Sequence, residues 1–108
     1  MEQHLNAFIE AHPDGWGHDQ WLGLLAELDE NGFDVSDPTA IGYELESQRL
    51  AWELRRRDVP GLGPKRIDAV VEQFGTLWSL RHAAVEDFAE IKKSVPGKVA
   101  EKVVAAVR

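Results

Sequence analysis

The run Val59 to Ile67, VPGLGPKRI, constrains this chain more than any other stretch, because two prolines and two glycines bracket a single leucine between two helix-like apolar stripes. Such a run cannot continue a helix. Pro60 lacks an amide donor, and Gly61 and Gly63 open backbone angles closed to other residues. The stretch must therefore be a tight connection. Upstream, Ile41, Leu45, Leu50, Trp52 and Leu54 recur at helical spacing and lead into Arg55-Arg56-Arg57. Downstream, Pro64 suits a first helical turn, where its missing amide loses no bond, and Ile67, Val70, Val71 and Phe74 form the next buried stripe, closed by Gly75.

The rest of the chain reads the same way. Apolar residues recur every three or four positions, and no stretch alternates with period two, so the fold class is all-α. Helices are predicted over Glu2 to Ala11 (Leu5, Phe8 and Ile9 inward) and over Asp19 to Asn31 (Trp21, Leu24, Leu25 and Leu28 inward), the second ending at a left-handed Gly32. Ser36-Asp37-Pro38 supplies a side-chain cap followed by a first-turn proline for the third. After Phe74, a connector from Thr76 to His82 carries Leu77, Trp78 and Leu80 inward, a short helix spans Val85 to Ile91, and a last helix from Pro96 to Val107 buries Val99, Val103 and Val107. Helix, hairpin, connector and second hairpin suggest a diverged internal repeat of roughly 35 residues. Two parts are expected: an acidic helical extension over residues 1–37, packed on a domain over residues 38–108.

The connection between the third and fourth helices has a specific chemistry. Gly61 and Gly63 leave their amides uncovered, so that a phosphate can approach the backbone, while Leu62 packs between the helices and fixes the hairpin. The helix beginning at Pro64 aims its free amides and the positive end of its dipole at the same place. Lys65 and Arg66, in its first turn, add ion pairs to flanking phosphates.

VPGLGPKRI followed by DAVVEQFGTLWSL closely resembles the tandem helix-hairpin-helix (SAM-like) domain at the C-terminus of the UvrC family of bacterial excision-repair nuclease subunits, and more loosely the paired hairpins of XPF-type nucleases and bacterial DNA ligases. The resemblance covers about Leu50 to Arg108; residues 1–49 lie outside it. It implies two hairpins that straddle the minor groove and contact phosphates on both strands without reading sequence. Gly61, Gly63, Lys65 and Arg66 match the first motif residue by residue. In the second, FAEI and KVAEKV flank KKSVPG, which lacks the glycine–apolar–glycine core. There Ser94 or Gly97 could present an amide, and Lys92, Lys93 and Lys98 supply charge.

A net charge of -7 argues against a nucleic-acid partner, but the average hides an asymmetry. Residues 1–54 hold 12 acidic side chains against the single Arg49, whereas residues 55–108 hold 7 acidic and 11 basic ones. DNA is the expected partner of the basic half. The rival reading is a protein-interaction module whose acidic N-terminal half attracts a basic partner, and a third has the acidic segment folding over the basic face to regulate access. Arg55 to Arg57 suit a helix C-terminus and phosphate contact equally. The tryptophans Trp16, Trp21, Trp52 and Trp78 are expected to pack in the core rather than to stack on bases.

Other chemistries find little footing. There are no cysteines. His12, Asp14, His18 and Asp19 have no helical ligand spacing, and in DENGFDVSD the bidentate calcium position falls on Pro38, so no metal is expected. Asp68, Glu72 and Glu86 are not gathered by their spacing, so neither cofactor nor enzyme activity is expected. With no basic leader and no run of about 18 apolar residues, a soluble, cytoplasmic protein without membrane contact is expected.

Overall fold

Seven helices and no strand make up the fold, as the periodicity required; the computed structural model describes residues Met1–Arg108. They are α1 (Glu2–Ala11), α2 (His18–Glu30), α3 (Pro38–Arg57), α4 (Pro64–Phe74), α5 (Leu77–Arg81), a 3-10 helix η1 (Val85–Ile91) and α6 (Gly97–Val107). The chain divides into two compact units, Met1–Gln48 and Arg49–Arg108, the division falling inside α3. No helix is long and apolar enough to cross a membrane.

In the Met1–Gln48 unit the buried residues keep to helical spacing: Leu5 and Ile9 on α1, Leu24 and Leu28 on α2, Ile41 and Leu45 on α3. Gly32, at a φ of 85°, ends α2 in the left-handed conformation expected of it. Its amide donates to the Asp29 carbonyl at 3.0 Å and that of Phe33 to Leu28 at 3.0 Å, which satisfies two carbonyls the helix end would otherwise expose. The start of α3 also follows its local signals. Asp37 Oδ1 accepts the Ala40 amide at 3.2 Å and Pro38 opens the helix. Just before it, the Ser36 hydroxyl and amide hold the Asp34 carboxyl below the usual carboxylate range.

The Arg49–Arg108 unit is built on one apolar cluster. Leu50, Leu54 and Val59 from the end of α3 and the turn, Ile67 and Val70 from α4, Leu77 and Leu80 from α5, and Phe88 from η1 close around α6. The expected stripe Val99, Val103 and Val107 is buried, joined by Ala100 and Val104. Phe74 and Phe88 meet at 4.7 Å between ring centroids, so α4 and η1 are clamped together. The α6 end is held by arginines from elsewhere in the unit: Arg57 Nη1 donates to the Ala106 carbonyl, and Arg81 Nε to that of Val107 at 3.1 Å. Cations at a helix C-terminus are favoured by its dipole as well as by these bonds.

Helix α5 is too short to persist by propensity alone and depends on its cap and its buried leucines. Thr76 Oγ1 accepts the Ser79 amide at 3.1 Å. Thr76→Ala should therefore lower unfolding stability by about 1 kcal/mol, and Thr76→Ser should retain most of it. Urea denaturation midpoints at unchanged slope would check this.

One inward assignment is corrected. Trp16, Trp21 and Trp52 are half-buried, but Trp78 is 69% exposed. In a five-residue helix that buries Leu77 and Leu80, the position between them is left facing water.

Candidate nucleic-acid interface

The connection from α3 to α4 is built by its own residues. Asp58 leaves α3 at a φ of 49°, a left-handed position that aspartate tolerates better than most side chains. Val59, Pro60, Gly61 and Leu62 then form a turn closed by the Leu62 amide on the Val59 carbonyl at 3.0 Å. Proline in second place and a glycine at a φ of 83° in third are the signature of a type II turn. Gly61 is required twice over: besides its φ, a Cβ there would lie 3.1 Å from Val99 Cγ2 of α6. Val59 is buried, and Leu62 packs against the cluster from its edge, pinning the turn as expected.

Gly63 is different. It caps α4 at a φ of -82° and a ψ of 179°, ordinary extended backbone, and a Cβ at this position would meet nothing within 4 Å. Neither backbone strain nor packing within the protein calls for glycine there. The space a side chain would fill opens into a shallow depression lined by Gly61, Gly63, Pro64, Lys65 and Arg66. The Gly63 carbonyl accepts the Ile67 amide at 3.0 Å, and the amides of Gly63, Lys65 and Arg66 find no acceptor inside the protein. Those unpaired donors, together with the N-terminal end of the α4 dipole, suit an oxyanion.

The cations around the depression divide by role. Lys65 is exposed and makes no ion pair within the protein. Arg66 turns back on the turn: its Nη1 donates to the Gly61 carbonyl at 2.6 Å, which braces the hairpin and fixes the guanidinium at the edge of the depression. Its remaining N–H groups stay available.

Of the three consecutive arginines, two are engaged in the structure itself. Arg56 Nη2 meets both oxygens of Glu53, at 3.0 and 3.1 Å, with its guanidinium 4.9 Å from the Trp52 ring, and Arg57 Nε meets Glu53 Oε2 at 3.0 Å. Glu53 is 2% exposed, and these partners make its burial tolerable. Sequence reading missed this residue, although it precedes Arg56 and Arg57 by three and four positions, the spacing at which helical side chains meet. All three are exposed, and Arg55 alone makes no side-chain bond within the protein.

The second hairpin follows another plan. Between η1 and α6 no residue has a positive φ, so the type II geometry of the first turn is absent. The Ser94 amide donates to the Ile91 carbonyl at 2.9 Å and that of Val95 to the same carbonyl at 2.8 Å, because the chain leaves η1 in a further helical turn. Ser94 thus has no amide to present and keeps only its hydroxyl. Gly97 fits the expectation better: it opens α6 behind Pro96, a Cβ on it would meet nothing within 4 Å, and the Gly97 and Lys98 amides have no acceptor in the protein. Lys92, Lys93 and Lys98 are all exposed, without ion pairs. Because Gly61 packs on Val99, the first turn sits beside the first turn of α6, and the starts of α4 and α6 lie at the same end of the unit.

This end of the all-helical unit gathers unpaired amides and cations at the start of α4, with a second, plainer helix start beside it. Among known proteins, the chain is 41% identical over 78 residues to UvrABC system protein C of Symbiobacterium thermophilum, a match covering 68% of the chain. It is 47% identical over 85 residues to UvrABC system protein C of Corynebacterium aurimucosum, covering 78% of the chain. The match spans only 12% of the length of each relative. Both matches take in more of the chain than Arg49–Arg108 holds, so the similarity reaches into the residues before Arg49 and is wider than the Leu50 to Arg108 stretch read from the sequence. No protein-family model matches, and no solved structure does.

Proposed function

We propose that the Arg49–Arg108 unit is a tandem helix-hairpin-helix module that binds DNA through its phosphates, without reading sequence, and serves DNA repair as a binding element without catalysis of its own. Gly63 carries the reading. A glycine that neither backbone strain nor packing requires, beside three unpaired amides at a helix start and an unpaired lysine, is accounted for by a ligand whose oxygen must come close to the backbone. The similarity to UvrABC system protein C supports the choice of DNA over other oxyanions.

On this reading the two helix starts are unequal. The first hairpin binds through amides, Lys65 and Arg66; the second adds the Gly97 and Lys98 amides and the charges of Lys92, Lys93 and Lys98, with Ser94 contributing only a hydroxyl. With about three to five phosphates contacted, log affinity should fall against log salt with a slope of about -3 to -4.5. Fluorescence anisotropy with labelled duplex and junction DNA of mixed sequence, repeated across salt concentrations, measures it. Affinity indifferent to salt, or no binding at low salt, would remove the proposal.

A further inference from the structure

Trp78 is the most exposed of the large apolar side chains, ahead of Tyr43 and Leu22, and leaving an indole in water forgoes the burial that usually recommends it. It is nevertheless held in place. His82 stacks on it with ring centroids 4.1 Å apart and planes 28° from parallel, and the His82 ring is itself fixed by Nδ1–H donating to the Trp78 carbonyl at 2.7 Å. One face of the indole is thus backed and the rest is offered to solvent.

The pair lies at the end of the unit away from the oxyanion seat. The eleven residues of α4 put about 16 Å between Pro64 and Phe74, and α5 follows almost at once. Arg81 ties α5 to the C-terminal end of α6, whereas Gly61 packs on its first turn. The local charge differs too, although Arg81 and Arg108 bond main-chain carbonyls at this same end. A cleft beside the stack is lined by Phe74, Ser79, His82, Glu86, Asp87 and Glu90 among others, and no lysine or arginine lines it. Asp87 uses one oxygen on the Ala84 amide at 2.7 Å, while Glu86 and Glu90 are exposed and form no ion pair within the protein.

We propose that Trp78, backed by His82 at the rim of the cleft that holds Glu86 and Glu90, is a docking surface for a basic segment of a partner protein. An arginine of that segment lays its guanidinium on the open indole face, where cation–π attraction and planar stacking act together, and the carboxylates take the neighbouring positive charge. Phosphates would be repelled by the same carboxylates, so this end does not extend the DNA site.

The test uses the full chain, labelled with 15N, and an eleven-residue peptide in which arginines alternate with leucines; the control peptide has glutamine for each arginine. The Trp78 indole N–H resonance should shift saturably with the arginine peptide only. Trp78→Ala, and separately Glu86→Gln with Glu90→Gln, should each weaken that binding about fivefold, the range of one or two exposed cation contacts. DNA retention by Trp78→Ala should stay within about twofold of the parent, since phosphate contacts are untouched. Since Trp78 is exposed, its replacement should keep the circular dichroism spectrum; were it to unfold, the double glutamine variant reads the same affinity. The proposal is overturned by an indole that does not move, by equal shifts with the glutamine peptide, by shifts that arise from raising protein concentration alone, or by loss of DNA retention in Trp78→Ala. The peptide readouts do not depend on whether the unit binds DNA.

Discussion

Gly61→Val should destabilise the Arg49–Arg108 unit by about 2–5 kcal/mol, while Gly63→Val should cost only about 0.5–1 kcal/mol, the loss of a favoured N-cap residue, and abolish the oxyanion seat. The difference follows from two glycines one residue apart. At Gly61 a β-branched side chain meets a φ of 83° and a Cβ position 3.1 Å from Val99 Cγ2, so either the type II turn opens or α6 shifts. At Gly63 the backbone is extended and the space is empty, so the new methyls occupy only what a ligand would have occupied. Urea denaturation separates the first from the parent, and DNA anisotropy at low salt separates the second. Equal stability losses at both positions would mean that Gly63 serves the fold, and the main support for phosphate binding would be gone.

Reversing the charges at the start of α4 should be the largest single blow to binding. Lys65→Glu is expected to lower DNA affinity about tenfold, and Lys65→Glu with Arg66→Glu by roughly a hundredfold, with the salt slope reduced by about 2. The two residues are not equivalent. Lys65 has no role in the folded chain, so its replacement should leave the melting curve unchanged, whereas losing the Arg66 bond to the Gly61 carbonyl should cost stability by about 1 kcal/mol. Arg66→Lys would therefore weaken the brace while keeping the charge. Unchanged DNA affinity in the double variant would move the function away from this hairpin.

How far these features could be read ahead depends on how local their causes are. The turn, the cap at Asp37, the left-handed Gly32 and the boundaries of α3 and α4 are legible because each is dictated by a few adjacent residues whose backbone preferences leave one choice. The buried stripes were legible for a similar reason, since helical spacing alone puts Ile67 and Val70, or Val99 and Val103, on one face. Of the two amides offered at the second hairpin, Ser94 or Gly97, that of Ser94 is taken up by the Ile91 carbonyl, which its sequence neighbours do not announce. Trp78 was misread because a five-residue helix has too few turns to define a face, and packing of Leu77 and Leu80 chose it instead. The partners of Arg56 and Arg57 fall between these cases, since the spacing to Glu53 was visible while its burial, and the Arg57 bond to Ala106, were not.

The amino-acid order by itself determined that the chain is helical, where its helices break, and that one break exposes backbone donors beneath two cations, because torsional limits and periodic burial act over a handful of residues. Only the tertiary structure decided which donors stay unpaired, which arginines are tied to Glu53, that the starts of α4 and α6 share an end, and that an indole faces water at the other. Those outcomes depend on atoms brought together from distant parts of the chain, and no local rule of spacing contains the distances between them.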